Sequence, residues 1–145
     1  IVRPHNFYGP RSGYGHVIPG TLEKIQAKVD PFPFPGAEET RSFCYIDDAA
    51  EAIQIVMESK ATDNGTYHIG NPHEITMGDL LEEIFKVAPW RPSVIEKKEA
   101  PSGSVKRRLP DVSKIKKDTG WEATTSLTEG LKKTIEWYLK NPKKN

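Results

Sequence analysis

A chain of 145 residues with 36% hydrophobic and 28% charged residues has the size and composition of one ordinary globular domain. Its formal net charge of +1 favours no class of partner, and no apolar run approaches the roughly 20 residues of a membrane span. The single cysteine, Cys44, excludes an internal disulfide and favours a reducing, cytoplasmic compartment.

The first part of the chain is rich in proline and glycine. Ile1-Val2 resembles the end of a buried strand, and the loop at residues 3–10 carries more side chains able to bind a ligand than a connection needs. Pro19 is expected to open a helix, where its missing N–H costs nothing. Residues 30–36 hold too many prolines for a helix or a central strand, so we expect a stiff extended connection.

The rest of the chain alternates strand and helix patterns. A short strand is predicted over residues 41–46, with Asp47 capping the helix that follows, and another strand over residues 66–69. Thr76 with Asp79, and Ser126 with Glu129, have the spacing of capping boxes for two further helices. An edge strand is predicted over residues 93–96. The pattern therefore predicts a mixed α/β fold without internal repeats.

One segment departs from the balanced charge. Residues 97–117 hold eight basic residues against Glu99 and Asp111. A solvated helix face with a flexible loop explains this, and a site for a small phosphorylated ligand is the alternative, since one or two arginines can clamp a diphosphate. Nucleic acid is disfavoured because no aromatic residues are interleaved with the basic ones.

Several motifs occur together in a familiar order. They are Arg-Pro-x-Asn-x-Tyr-Gly-Pro at 3–10, His-Val-Ile-Pro at 16–19, Thr-Arg-Ser-Phe-x-Tyr-Ile-x-Asp at 40–48, Tyr-His-Ile-Gly-Asn at 67–71 and Arg-x-Pro-Asp at 108–111. In this register the chain resembles the extended short-chain dehydrogenase/reductases (SDR), in particular the NAD-dependent nucleotide-sugar epimerase/dehydratase family.

The resemblance implies the C-terminal, substrate-binding part of an extended SDR fold, with the N-terminal Rossmann portion missing. In the family that portion binds NAD(P) through a glycine-rich turn and supplies a Tyr-x-x-x-Lys pair. The sequence has only Gly13-x-Gly15, and no tyrosine is followed four residues later by lysine. Because residue 1 is isoleucine rather than methionine, we expect an upstream part to be absent from the sequence.

The expected organisation is one substrate-binding domain or fragment over residues 1–145. Residues 1–4 would be the end of a Rossmann-type strand, and residues 5–145 the cap region. A helix at 47–59 would pack on the missing sheet.

The resemblance also implies binding roles for individual residues. His5 matches a position near the nicotinamide, Asn6 one that contacts the diphosphate, and Arg41 one that contacts the nucleotide. Arg108 matches an arginine that reaches the diphosphate, with Arg107 or Lys106 in its place if the register slips. Val17 and Phe34 match positions beside the substrate helix and the nucleobase.

Each of these roles has a structural alternative. Asn6 would then only satisfy local backbone groups, and Arg41 would form a salt bridge with Glu38, Glu39 or Asp47. Val17 and Phe34 would be core residues. No catalytic residue and no metal site is expected, because His68 and His73 lack a third ligand at suitable spacing.

The expected function is the nucleotide-sugar-binding portion of an NAD(P)-dependent epimerase/dehydratase, not catalytic alone. The alternative is a freestanding epimerase-derived binding or interaction module without enzymatic activity. The expected partners are a nucleotide-diphosphate sugar, such as a UDP-sugar, and a missing or separate Rossmann half. A homo-oligomer, the base, the sugar and the reaction are left open; no nucleic acid, membrane or cofactor bound to this chain alone is expected.

Overall fold

The computed structural model describes residues 1–143. Within them the strands are β1 (Val2–Pro4), β2 (Phe7–Tyr8), β3 (Phe32–Pro35), β4 (Thr40–Arg41), β5 (Cys44–Tyr45), β6 (Tyr67–Ile69), β7 (Ile75–Thr76), β8 (Ile95–Lys98) and β9 (Arg107–Arg108). The helices are α1 (Val17–Gln26), α2 (Ile46–Glu58), α3 (Met77–Val87), α4 (Ser113–Thr119) and α5 (Leu127–Lys140), with a 3₁₀ turn at Lys60–Thr62.

The strands form small sheets rather than one continuous sheet. Three are parallel pairs, β1–β6, β2–β5 and β3–β8. The fourth has the order β7-β4-β9, with β7 antiparallel and β9 parallel to β4. The prediction of a mixed α/β fold is confirmed.

Two apolar clusters hold these elements together. The larger one joins α1, β3, α3 and α5 around Ile18, Phe32, Ile84 and Leu131, all nearly inaccessible to solvent. The smaller one joins α2, β6 and α4. Within residues 1–143 no helix is long and apolar enough to cross a membrane.

The proline-rich segment corrects the prediction for residues 30–36, because Phe32–Pro35 is a strand. It pairs on one side only, with β8, and its two phenylalanines are buried. The N–H groups of Phe32 and Gly36 donate to Val94 and Lys98 carbonyls. Pro33 and Pro35 alternate with these donors, so their missing N–H groups fall on the side without a partner. This is the edge-strand position that proline tolerates.

The two capping boxes are confirmed. The Thr76 side chain accepts a hydrogen bond from the Asp79 N–H at the start of α3, and Ser126 does the same for Glu129 at the start of α5. Leu80, Leu81, Ile84 and Phe85 of α3 are buried, as are Leu131 and Ile135 of α5, but Leu139 of α5 is exposed. These predictions needed only residues within one turn of each other.

The predicted cap of α2 is wrong. Tyr45 is the N-cap and makes no side-chain cap bond, so the helix begins before Asp47. The buried Asp48 carboxylate instead accepts hydrogen bonds from the Thr125 N–H at 3.0 Å and the Thr125 hydroxyl at 2.9 Å. It ties the start of α2 to the loop before α5, a partner 77 residues away that helical spacing does not reveal.

Other boundaries also differ from the predictions. Helix α1 begins at Val17, two residues before Pro19. The strand predicted over 41–46 is two short strands with different partners, β4 and β5. The edge strand predicted over 93–96 is β8 at Ile95–Lys98. The first strand is not buried in the described chain, where all three residues of β1 are exposed.

Candidate functional site

A cavity of about 230 Å³ opens beside the loop that follows β1. It is lined by Asn6, Phe7, Tyr8, Ser12, Gly15, His16, Val17, Ile18, Pro19, Arg41, Phe43 and Met77. Three of the six residues assigned binding roles from the sequence, Asn6, Val17 and Arg41, therefore lie around one space. The first turn of α1 forms part of its wall, so backbone N–H groups at a helix N-terminus border the cavity.

Asn6 is fixed in a left-handed backbone conformation, with φ of 44°, which asparagine tolerates better than most residues. Its side-chain Nδ2 donates to the Ser42 carbonyl at 2.9 Å, and its own carbonyl accepts from the Cys44 N–H at 3.2 Å. The local backbone role considered for Asn6 is thus present. The amide oxygen and the second N–H bond of the amide remain for a ligand.

Arg41 is nearly buried, with 12% of its side chain exposed, and lies against Glu39, whose side chain is 14% exposed. Its Nη2 donates to the Glu39 carboxylate at 2.9 Å and its Nη1 to the Thr40 carbonyl at 2.7 Å. The salt bridge considered as an alternative role is therefore formed, and Glu39 is the partner. A guanidinium has five N–H donors, so two bonds leave part of the fork available to the cavity.

The register of β9 separates Arg107 from Arg108. Arg41 pairs with Arg108 across the parallel strands, and Thr40 pairs with Arg107. Because paired residues in adjacent strands point to the same face and successive residues to opposite faces, Arg41 and Arg108 share one face of the sheet. Strand spacing of about 4.8 Å sets the separation of their backbones.

Arg107 lies on the other face and is already committed. Its Nε and Nη2 donate to the two oxygens of the Glu74 carboxylate at 2.8 and 2.9 Å. Arg107 holds the pKa of Glu74 below its usual value, mainly through this bidentate contact. Arg108, by contrast, is exposed and makes no side-chain hydrogen bond or ion pair within residues 1–143. The geometry therefore favours Arg108 over Arg107 as the second arginine facing a ligand.

Val17 and Phe34 differ in position. Val17 begins α1, lines the cavity and packs partly against the larger core. Phe34 is 4% exposed and belongs to that core. It borders a separate depression beside Ala37, Gly78 and Lys97, and not the cavity of Asn6 and Arg41.

His5 forms a close pair with His68, which was considered from the sequence only as a weak metal ligand. His5 Nε2 and His68 Nδ1 lie 2.6 Å apart, so one nitrogen donates and the other accepts. Burial, the neighbouring His68 and the charge of Arg108, in that order, lower the pKa of His5. Within residues 1–143 no group of three His, Cys, Asp or Glu residues could hold a metal ion.

Cys44 is fully buried, as expected for a small apolar residue. Burial raises the pKa of its thiol to about 12, with a smaller contribution from the Asp48 carboxylate. The thiol is therefore not activated for chemistry. Sequence reasoning named Glu39 as one of three salt-bridge candidates for Arg41, but it missed the pairing of His68 with His5. That pairing depends on the β1–β6 register, so spacing along the chain gives little signal for it.

Known proteins match this chain in sequence and in fold. Residues 1–70 match the sequence model of the NAD dependent epimerase/dehydratase family. UDP-glucuronic acid decarboxylase 6 of Arabidopsis thaliana is 36% identical over 135 residues, which are 90% of this chain and 38% of that protein.

Two solved structures resemble the fold over nearly the whole chain. A dTDP-glucose 4,6-dehydratase of Bacillus anthracis in complex with NAD has a TM-score of 0.83 at 25% identity, covering 97% of this chain and 44% of that chain. A UDP-glucose 4-epimerase of Thermotoga maritima with UDP-glucose has a TM-score of 0.80 at 31% identity, covering 98% and 46%. The present chain thus spans less than half the length of these proteins.

Proposed function

We propose that the chain is the nucleotide-sugar-binding portion of an NAD-dependent epimerase/dehydratase. The matches to that family support this proposal. It would hold the nucleoside diphosphate and orient the sugar, while a nucleotide-binding half carries NAD(P) and the catalytic pair. The proposed location is the cytoplasm, in keeping with the single buried cysteine.

One observation carries this proposal: the pairing of Arg41 with Arg108 beside the cavity that contains Asn6. Two guanidinium groups on one sheet face provide planar donor forks for the oxygens of a diphosphate. The N-terminus of α1 borders the same cavity and favours negative charge there. An amide, two arginines and a helix N-terminus suit an anionic, hydrogen-bonding ligand.

The residues present do not fit the cofactor itself. Gly13 and Gly15 precede α1 in a turn instead of following a strand, and neither has the positive φ of a tight phosphate-binding turn. We therefore propose that NAD(P) is bound mainly by the other half in the full-length family enzymes. His5, the one residue assigned near the nicotinamide, would contribute only from the edge.

The alternative function is a freestanding epimerase-derived module that binds a partner without enzymatic activity. The exposed strand β1 and the exposed Met57 on α2 favour a surface that contacts another protein part. Both functions share the same sugar-nucleotide cavity. They differ in whether a nucleotide-binding half ever joins this chain.

The test of the proposal is a calorimetric titration of the chain with UDP-glucose, dTDP-glucose and GDP-mannose. We expect saturable binding of at least one, weakened tenfold or more by Arg41→Ala and by Arg108→Ala. Each variant loses charge-assisted hydrogen bonds worth about 1.5–3 kcal/mol. A loss of about 1.4 kcal/mol of binding free energy lowers the affinity tenfold.

Arg107→Ala is the matched control, because Arg107 is adjacent in sequence but faces Glu74. It should change the affinity less than threefold. Circular dichroism of each variant separates lost binding from lost folding. Equal losses in all three arginine variants would show a diffuse charge effect, and no binding of any nucleotide by the folded wild type would refute the proposed site.

A further inference from the structure

A cluster of basic side chains lies just outside the cavity, on the β1–β6 pair. Arg3 pairs with His68 across these parallel strands, so their side chains share one face. His5 follows two residues after Arg3 on the same face, and its N–H continues the ladder by donating to the Ile69 carbonyl at 2.9 Å. The opposite face carries Tyr67 and Ile69 into the smaller core.

Arg108 connects this cluster to the proposed diphosphate-binding site around Asn6 and Arg41, called the anion site below. The segment after β9 packs tightly on the end of β6, where a Cβ at Gly70 would lie 2.7 Å from Pro110 and 3.1 Å from the His5 Cβ. Arg108 is consequently close enough to the pair for its charge to lower the pKa of His5. The same arginine stands beside Arg41 in the β4–β9 register. Arg108 thus stands between the imidazole pair and Arg41, which lines the cavity.

Few negative charges face the pair. Asp111 is close enough to His68 for the two charges to interact, but its carboxylate is occupied by the Ser113 N–H at 2.9 Å. The other charged groups facing the cluster, Arg3 and Arg108, are positive and make no side-chain hydrogen bond or ion pair in the described part of the chain. The pair therefore lies between two positive side chains, with the Asp111 carboxylate as a counter-charge on the His68 side.

We propose that His5 and His68 form a proton-linked extension of the anion site, in which binding of a diphosphate at Arg108 draws one proton onto the pair. This proposal rests on the proposed function and adds His68, through its contact with His5, to the residues of the site. The chemical class of ligand is a diphosphate diester such as that of a nucleotide sugar.

The contact geometry allows one proton to be taken up and opposes a second. In the neutral pair one imidazole donates an N–H across the 2.6 Å contact and the other accepts. A single added proton can sit on an outward nitrogen, leaving the contact as a stronger charge-assisted bond. A second added proton would set two N–H donors against each other.

The sign of the linkage follows from the charges. Without a ligand, burial and then the neighbouring His68 and Arg108 lower the pKa of His5, which favours its neutral form. A bound diphosphate supplies opposite charge, which favours the protonated form and raises that pKa. Binding then takes up a proton, so the affinity increases as the pH falls. The full increase is about tenfold for each unit by which the ligand raises the pKa.

The test is a titration with UDP-glucose at pH 8.0 and pH 5.5, in buffers of different ionisation enthalpy. The internal diphosphate of UDP-glucose lacks the terminal phosphate whose second pKa is near 6, so the ligand itself gains no proton here. We expect at least fivefold tighter binding at the lower pH, which corresponds to an average uptake of at least about 0.3 proton across this pH interval. In His68→Asn the difference should fall below twofold.

Two matched variants identify the source of any pH dependence. His73 is exposed outside the cavity, so His73→Asn is the control that should retain the fivefold difference. His16 lines the cavity, so His16→Asn tests whether His16 is the source instead of the pair. Together with His5 and His68 these are the four histidines, whose imidazole NMR signals are assigned by the same substitutions. UDP-glucose should raise the pKa of the His5 signal.

The possible outcomes separate this proposal from the one it rests on. Binding that is independent of pH, or pH dependence lost only in His16→Asn, overturns the imidazole proposal and leaves the sugar-nucleotide site intact. Absence of binding at both pH values overturns both.

Discussion

At the scale of single residues, the site combines a ligand-binding charge with an internal counter-charge. Arg41 and Glu39 are both nearly buried and lie 2.9 Å apart, so each neutralises the other when no ligand is bound. A diphosphate in the cavity would compete with Glu39 for Arg41. The motif around Arg41 indicated a binding role and the salt bridge as alternatives, and the geometry accommodates both.

The Glu39→Gln substitution tests this competition. It keeps a polar side chain beside Arg41 but leaves the guanidinium without its counter-charge. We expect the free energy of unfolding to fall by about 1–3 kcal/mol. We also expect UDP-glucose to bind two- to tenfold more tightly, because the ligand replaces the missing negative charge. Chemical denaturation and calorimetry measure the two effects.

Glu38→Gln is the control for charge alone, since Glu38 is exposed and one residue away. Its effect on stability should stay within about 0.5 kcal/mol. Weaker binding in Glu39→Gln would contradict the competition and indicate that Glu39 orients Arg41 for the ligand.

At the scale of elements, two local capping signals were read correctly and a third, at Asp47, was not, while strand pairings distant in sequence gave no signal. The Thr76 and Ser126 caps act within one turn, and their helices start where the sequence predicts. The partner of β3 lies more than 60 residues away, and nothing near Pro33 identifies it. The choice between Arg107 and Arg108 likewise required the β4–β9 register. Roles that depend on which residues lie side by side in a sheet are therefore the hardest to predict.

Helix α5 illustrates how one element shapes the cavity from behind. A Cβ at Gly130 would lie 2.8 Å from Tyr8 Cζ and 2.9 Å from Tyr45 Cδ2, closer than real contacts allow. Tyr8 lines the cavity, and its hydroxyl donates to the Leu127 carbonyl at 3.4 Å. The absence of a side chain at Gly130 lets α5 approach β2 and β5 and sets the position of Tyr8.

Gly130→Ala is accordingly expected to destabilise the fold, although alanine favours helices by about 1 kcal/mol over glycine. Overpacking costs about 1–3 kcal/mol, and two rings must move. Gly15→Ala is the control, because a Cβ there has nothing within 4 Å. Thermal unfolding should place Gly130→Ala well below both the control and the wild type. An unchanged or higher stability would mean that α5 can shift without cost.

At the scale of the whole molecule, strand β1 and large apolar side chains are open to solvent within residues 1–143. The β1–β6 pair has no third strand within residues 1–143, and Ile1 and Met57 are each 79% exposed. The chain also spans less than half of the solved proteins that it matches. The motifs indicated the family, but they gave no signal for the sugar, the base or the reaction.

The proposed function predicts that the chain binds a sugar nucleotide more tightly than the cofactor. Both UDP-glucose and NAD carry a diphosphate, but only a sugar nucleotide would also use Asn6 and the first turn of α1. Parallel titrations should give at least tenfold tighter binding of UDP-glucose than of NAD. A mixture of the chain, UDP-glucose and NAD should form no reduced nicotinamide, because Tyr-x-x-x-Lys is absent from the sequence. Comparable affinity for NAD, lost in Arg41→Ala, would instead show that this cavity accepts any nucleoside diphosphate and that the selectivity lies elsewhere.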